Sequence, residues 1–124
     1  MKPFATTFAT TAALAASLLA GAASAHTELK TANPAPNAVV KAAPTALRLD
    51  FSSAVLPRFT TVSVTGPNGQ ALHAGPVTVD AKNKGVVTAP LHGAGAPGAY
   101  KVDWAAASSD MHKMKGSYTF TVRP

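Results

Sequence analysis

The sequence predicts an all-β domain, a small antiparallel β-sandwich or barrel of about seven short strands. Three observations carry that expectation. Apolar and polar residues alternate with a period of two in the clearest segments, and no stretch shows an apolar period of 3.6. Pro/Gly-rich turns also recur at short spacing, with Pro 10 and Gly 9 in 124 residues.

Residues 1–25, MKPFATTFATTAALAASLLAGAASA, are expected to stand outside the fold. Lys2 supplies a positive start, an Ala/Leu-rich stretch runs around Ala12–Ala20, and Ala23-Ser24-Ala25 is an A-x-A cleavage motif; together these make a secretory signal peptide. A membrane span needs about 20 continuous apolar residues, and this stretch is shorter and broken by Thr and Ser. Export and removal would leave residues 26–124, a single domain of 99 residues beginning with His26.

Along that domain, Asn33-Pro34-Ala35-Pro36-Asn37 reads as an extended or turning opening segment. Leu47, Leu49 and Phe51 alternate with Arg48 and Asp50, the pattern of a half-buried strand. The β-branched run Phe59–Thr65 predicts a second strand, stopped at Gly66-Pro67-Asn68-Gly69, with Gln70–His73 returning as its hairpin partner. Val77–Val79 and Val86–Thr88 predict two more, separated by a polar turn from Asp80 to Gly85. After Gly98, Tyr100, Val102 and Trp104 share one face; after Gly116, Tyr118, Phe120 and Val122 do the same. Trp104 and both Tyr are therefore assigned to the core.

Composition narrows the chemistry. With Cys 0, thiolate catalysis, thiolate metal sites and disulfides are excluded, leaving four His and five carboxylates. The formal charge is +6, and removal of Lys2 with the leader leaves +5. The basic residues are scattered singly with no aromatic-interleaved patch, so no nucleic-acid partner is expected. No glycine-rich phosphate loop and no G-x-S-x-G is present.

Two features point to a metal. Cleavage before His26 would give one residue both an imidazole and a free α-amine, two nitrogens able to chelate one ion. Asp110 and His112 in Ser108-Ser109-Asp110-Met111-His112 are two apart and, in an extended segment, project to one side, with Met111 inward and Met114 on the surface. If the two features meet, an amine, two imidazoles and a carboxylate suit the tetragonal preference of Cu(II). His73 and His92 have no second ligand type at short spacing and read as surface residues. Met111 and Met114 are thin evidence for a soft Cu(I) site. Ser108 or Ser109 beside His112 makes a poor nucleophile, because adjacent loop residues do not form an oriented Ser-His-carboxylate line.

Together these residues resemble the CopC family of periplasmic copper-binding proteins. The resemblance runs through His26, Asn33-Pro34-Ala35-Pro36, Leu47–Ser52, Gly98–Trp104, Ser108–His112 and Gly116–Val122 and covers residues 26–124. It implies a cupredoxin-like or immunoglobulin-like Greek-key β domain in the periplasm. It further implies one Cu(II) per chain held by His26, with its amine, Asp110 and His112. No turnover is implied, and the expected partners are the copper ion and a CopD-type inner-membrane copper transport protein. Some members carry a Met-rich Cu(I) segment, but Thr65–Val79 contains no Met, so a Cu(II) protein acting as a monomer is expected. The family's usual Pro after the loop His is Lys113 here. Two competing classes remain: a copper-dependent oxidative enzyme with an N-terminal His brace, and a metal-free immunoglobulin-like interaction module.

Overall fold

A computed structural model describes residues 28–74 and 76–124. Nine strands lie among the described residues: β1 Leu29–Asn33, β2 Val39–Val40, β3 Ala46–Phe51, β4 Thr61–Thr65, β5 Ala71–Ala74, β6 Thr78–Val79, β7 Val86–His92, β8 Gly98–Ala107 and β9 Lys113–Val122. One layer runs β1-β3-β7, with β6 beside β7; the other runs β5-β4-β8-β9-β2. Strand β5 also pairs β7 and so links the layers at one corner. All pairings are antiparallel except β2 with β9, which is parallel.

Alternation sets which residues face inward. In β3, Leu47, Leu49 and Phe51 are buried, while Arg48 and Asp50 form an ion pair of 2.9 Å on the outer face. Strands β8 and β9 contribute Tyr100, Val102, Trp104, Tyr118, Phe120 and Val122 to the same core. Tyr100 and Phe120 are cross-strand partners with stacked rings 5.2 Å apart. Tyr100 also uses its polar end: its hydroxyl donates to the Ala96 carbonyl at 2.5 Å and accepts from the Gly95 N–H at 3.2 Å, pinning the loop before β8. These are the core assignments the alternation predicts.

Gly116 is required by Trp104. The two are opposite each other in the β8–β9 register, and the indole lies edge-on to Phe51 at 5.2 Å and against the Gly116 backbone. A Cβ at 116 would fall 2.6 Å from the indole Cζ2. The ring lies there because no side chain competes for the space.

The fold differs from the sequence expectation in local ways. Strands β1 and β2 are additional, the first edging β3 and the second adding to the end of β9. Phe59 does not open a strand: Pro57–Phe59 form one turn of 3-10 helix, in which Pro57 supplies the helical φ, and Phe59 is exposed beneath the Arg58 guanidinium. His92 is the last residue of β7, a strand longer than the Val86–Thr88 segment expected.

Gly116→Ala is expected to destabilise the domain by about 1–3 kcal/mol through overpacking against Trp104. Thermal melting followed by Trp104 fluorescence checks this; an unchanged midpoint would show that the indole moves aside freely.

Candidate metal centre

One end of the sandwich carries the Asp110–His112 turn and the start of the described chain. Where β3 ends, the Ser52 N–H donates to the Glu28 carbonyl and the Glu28 N–H donates to Ser52 Oγ, both at 2.8 Å. A few residues on, Val55 forms an isolated bridge with Ser108, and its N–H donates to the Lys84 carbonyl at 3.0 Å. Ser108 directly follows β8, and Lys113 begins β9. The start of the described chain, the end of β3 and the β8–β9 turn are thereby tied to one edge.

The turn itself is tight. The Met111 N–H donates to the Ser108 carbonyl at 2.9 Å, and the Ser108 N–H donates to the His112 carbonyl at 3.2 Å. Met111 has φ of 67°, the left-handed conformation that closes a three-residue hairpin loop. That conformation disfavours a side chain by roughly 1–2 kcal/mol.

This geometry brings Asp110 and His112 together, as expected, but through a turn and not through an extended segment. Asp110 Oδ2 lies 2.7 Å from His112 Nδ1, and both side chains are more than half exposed. Asp110 Oδ1 accepts from the Ser108 hydroxyl and, at 3.4 Å, from the His112 backbone N–H. The Ser108 hydroxyl first, then the imidazole, holds the Asp110 carboxyl down at about 2. The carboxylate is therefore ionised at neutral pH and can only accept, so His112 Nδ1 carries the proton between them.

The turn also reverses the two methionines. Met111 is 53% exposed, while Met114 packs partly buried against the core. Counted back in twos from Val122, the inward positions of β9 pass through Phe120, Tyr118 and Gly116 to Met114. The Ser108 hydroxyl donates to the aspartate, which turns it from the role of a nucleophile activated by His112.

His26 lies outside the described residues. Among the described residues no group of three His, Cys, Asp or Glu is arranged to hold a metal ion. The β5–β7 register sets His73 opposite His92, a juxtaposition invisible in sequence spacing because the pairing crosses the corner between layers. A shallow hollow of about 480 Å³ on the outer face of β4, β8 and β9 is lined by Thr61, Ser63, Asp103 and Lys115 among others and includes neither Asp110 nor His112. No helix among the described residues is long and apolar enough to cross a membrane.

The fold and the D-x-H turn define a class: the chain belongs to the CopC family, whose domain model matches residues 29–123. That family comprises copper-binding resistance proteins and not enzymes. Among particular relatives, the chain is 39% identical over 99 residues to protein YobA of Escherichia coli strain K12, covering 80% of each. The structure of CopC from Methylosinus trichosporium OB3b superposes with a TM-score of 0.74 at 30% identity, covering 80% of this chain and 95% of that one. That of PcoC, a methionine-rich copper resistance protein from Escherichia coli, gives 0.69 at 34%, covering 80% and 100%.

The depressed Asp110 carboxyl has a signed consequence for pH. A carboxylate whose folded-state pKa lies below its unfolded value stabilises the fold above that unfolded value and loses this contribution as pH falls toward the folded one. An NMR titration of the Asp110 carboxyl carbon in metal-free protein is expected to show a midpoint near 2, against about 3.9 for a free aspartate. A midpoint near the free value would mean the turn is open in solution.

Proposed function

We propose that the mature protein begins at His26 and binds one Cu(II) in the periplasm through the His26 amine and imidazole, Asp110 and His112. The single observation that carries this reading is the contact between Asp110 Oδ2 and His112 Nδ1 at 2.7 Å. Two donors about 90° apart around an ion, each at about 2.0 Å, stand roughly 2.8 Å from one another. The pair thus already has the spacing of neighbouring ligands in a tetragonal site. The ion takes the place of the Nδ1 proton, which the neutral imidazole then carries on Nε2. Binding weakens in acid because the amine and both imidazoles must give up any additional proton before they can ligate.

The Glu28–Ser52 hydrogen bonds supply further support. His26 stands two residues before Glu28, and each residue of extended chain spans at most about 3.3–3.6 Å. A chain tied at Ser52 leaves the N-terminal residue a reach of roughly 7 Å at the end of the sandwich where Val55 bridges Ser108. Three nitrogens and one carboxylate oxygen favour Cu(II) over Cu(I). Met111 and Met114 do not alter this, since one is exposed on the turn and the other packs on the core.

The protein in this reading is a monomeric copper carrier. It buffers the ion or delivers it to a CopD-type inner-membrane copper transport protein, and it turns over no substrate.

Two measurements test the proposal. N-terminal sequencing of protein recovered from the periplasm is expected to begin at His26, and any other start overturns the amine as a ligand. Cu(II) titration followed by electron paramagnetic resonance is expected to show one tetragonal centre per chain. Adding one residue before His26, or His112→Ala, is expected to lower affinity by at least about 100-fold. Unchanged binding in either variant rules out this ligand set, and an absence of Cu(II) binding heat in the unaltered protein would favour a metal-free interaction module.

A further inference from the structure

We infer that Ser108 is a positioning residue for the copper site, acting through Asp110; this rests on the ligand set proposed above. The Ser108 hydroxyl donates to Asp110 Oδ1, the oxygen turned away from the imidazole, while Oδ2 faces His112 Nδ1. With Oδ1 engaged, the carboxylate is held with Oδ2 toward the ion's position. An exposed Asp otherwise rotates among several rotamers, and freezing it is a cost that the serine pays in advance.

The serine can act as an anchor because its own position is determined. It is 8% exposed, bridged to Val55, and fixed by two backbone hydrogen bonds, one from its N–H to the His112 carbonyl and one from the Met111 N–H to its carbonyl. Those bonds involve the main chain, so removing the hydroxyl leaves the turn's backbone pairing in place. The neighbouring Ser109 is exposed and serves as a control. A side chain that orients a metal ligand without touching the metal typically changes affinity by about 10- to 100-fold.

A double-mutant cycle separates this role from a structural one. Cu(II) affinity by competitive titration, and the paramagnetic resonance spectrum, are measured for the mature protein carrying Ser108→Ala, Asp110→Ala, both together, or Ser109→Ala. Ser108→Ala is expected to weaken Cu(II) binding about 10-fold or more and to alter the copper hyperfine splitting. In the Asp110→Ala background it is expected to have no further effect, and Ser109→Ala none. Equal losses in both backgrounds would show that Ser108 merely supports the loop and would overturn the inference, as would no loss in either. If Asp110→Ala itself leaves affinity and spectrum unchanged while His112→Ala abolishes binding, the carboxylate is not a ligand and the inference falls with it. Unchanged binding in His112→Ala would instead sink the underlying ligand set. Melting temperatures of the metal-free variants are compared so that lost folding is not read as lost binding.

Discussion

The register of the β8–β9 hairpin is the constraint on which the rest depends. Ten consecutive cross-strand pairs run from Gly98 opposite Val122 to Ala107 opposite Lys113. Because side chains alternate faces, a slip of one residue would turn Tyr118 and Phe120 out of the core and drive Thr119 and Thr121 into it. The Trp104–Gly116 pair enforces the same register sterically, since β9 has glycine where the indole requires an empty position. With the ladder locked, the chain must reverse between Ala107 and Lys113. The D-x-H turn is thus built at the end of the molecule's longest pairing, where packing of the strands determines its position.

This arrangement joins a rigid scaffold to an exposed polar edge. The core residues of β3, β7, β8 and β9 are almost fully buried, whereas Asp110, Met111 and His112 are exposed. Between them stands Ser108, nearly buried and bonded outward. Rigid elements carrying ligands at their ends hold geometry better than long loops do. Here the intervening turn is only three residues long, and its left-handed Met111 lets the chain reverse with Asp110 and His112 on the same side.

Much of this was legible in the residues because one physical rule, alternation on a half-buried sheet, writes itself directly into sequence. Leu47, Leu49 and Phe51, then Tyr100, Val102 and Trp104, announce both their strands and their buried face. Strand β1 does not, because Leu29-Lys30-Thr31-Ala32-Asn33 lies at an edge and carries a bulge in its pairing with β3, so the alternation is broken. Strand β2 has just two residues and exists through its partner β9. Phe59 misled because β-branched neighbours extend the apparent strand, while Pro57 supplies a helical φ that propensity alone does not weigh. At the site, the pairing of Asp110 with His112 was readable from spacing, though the turn that achieves it was not. The role of Ser108 was hidden because it depends on which carboxylate oxygen faces the imidazole, and no spacing records that.

The parallel pairing of β2 with β9 ends early. Val39 and Val40 cover Thr121 and Val122, and the Asn37 N–H reaches the Thr119 carbonyl at 2.7 Å. Among the described residues, no strand lies along the outer side of β9 from Lys113 to Tyr118. An uncovered strand edge is a template on which another chain can add, and lysines there are a common deterrent. Lys113 and Lys115, exposed on that stretch beside Asp110 and His112, put two positive charges along this open flank, the kind of charge that opposes edge-to-edge pairing whichever basic residue supplies it.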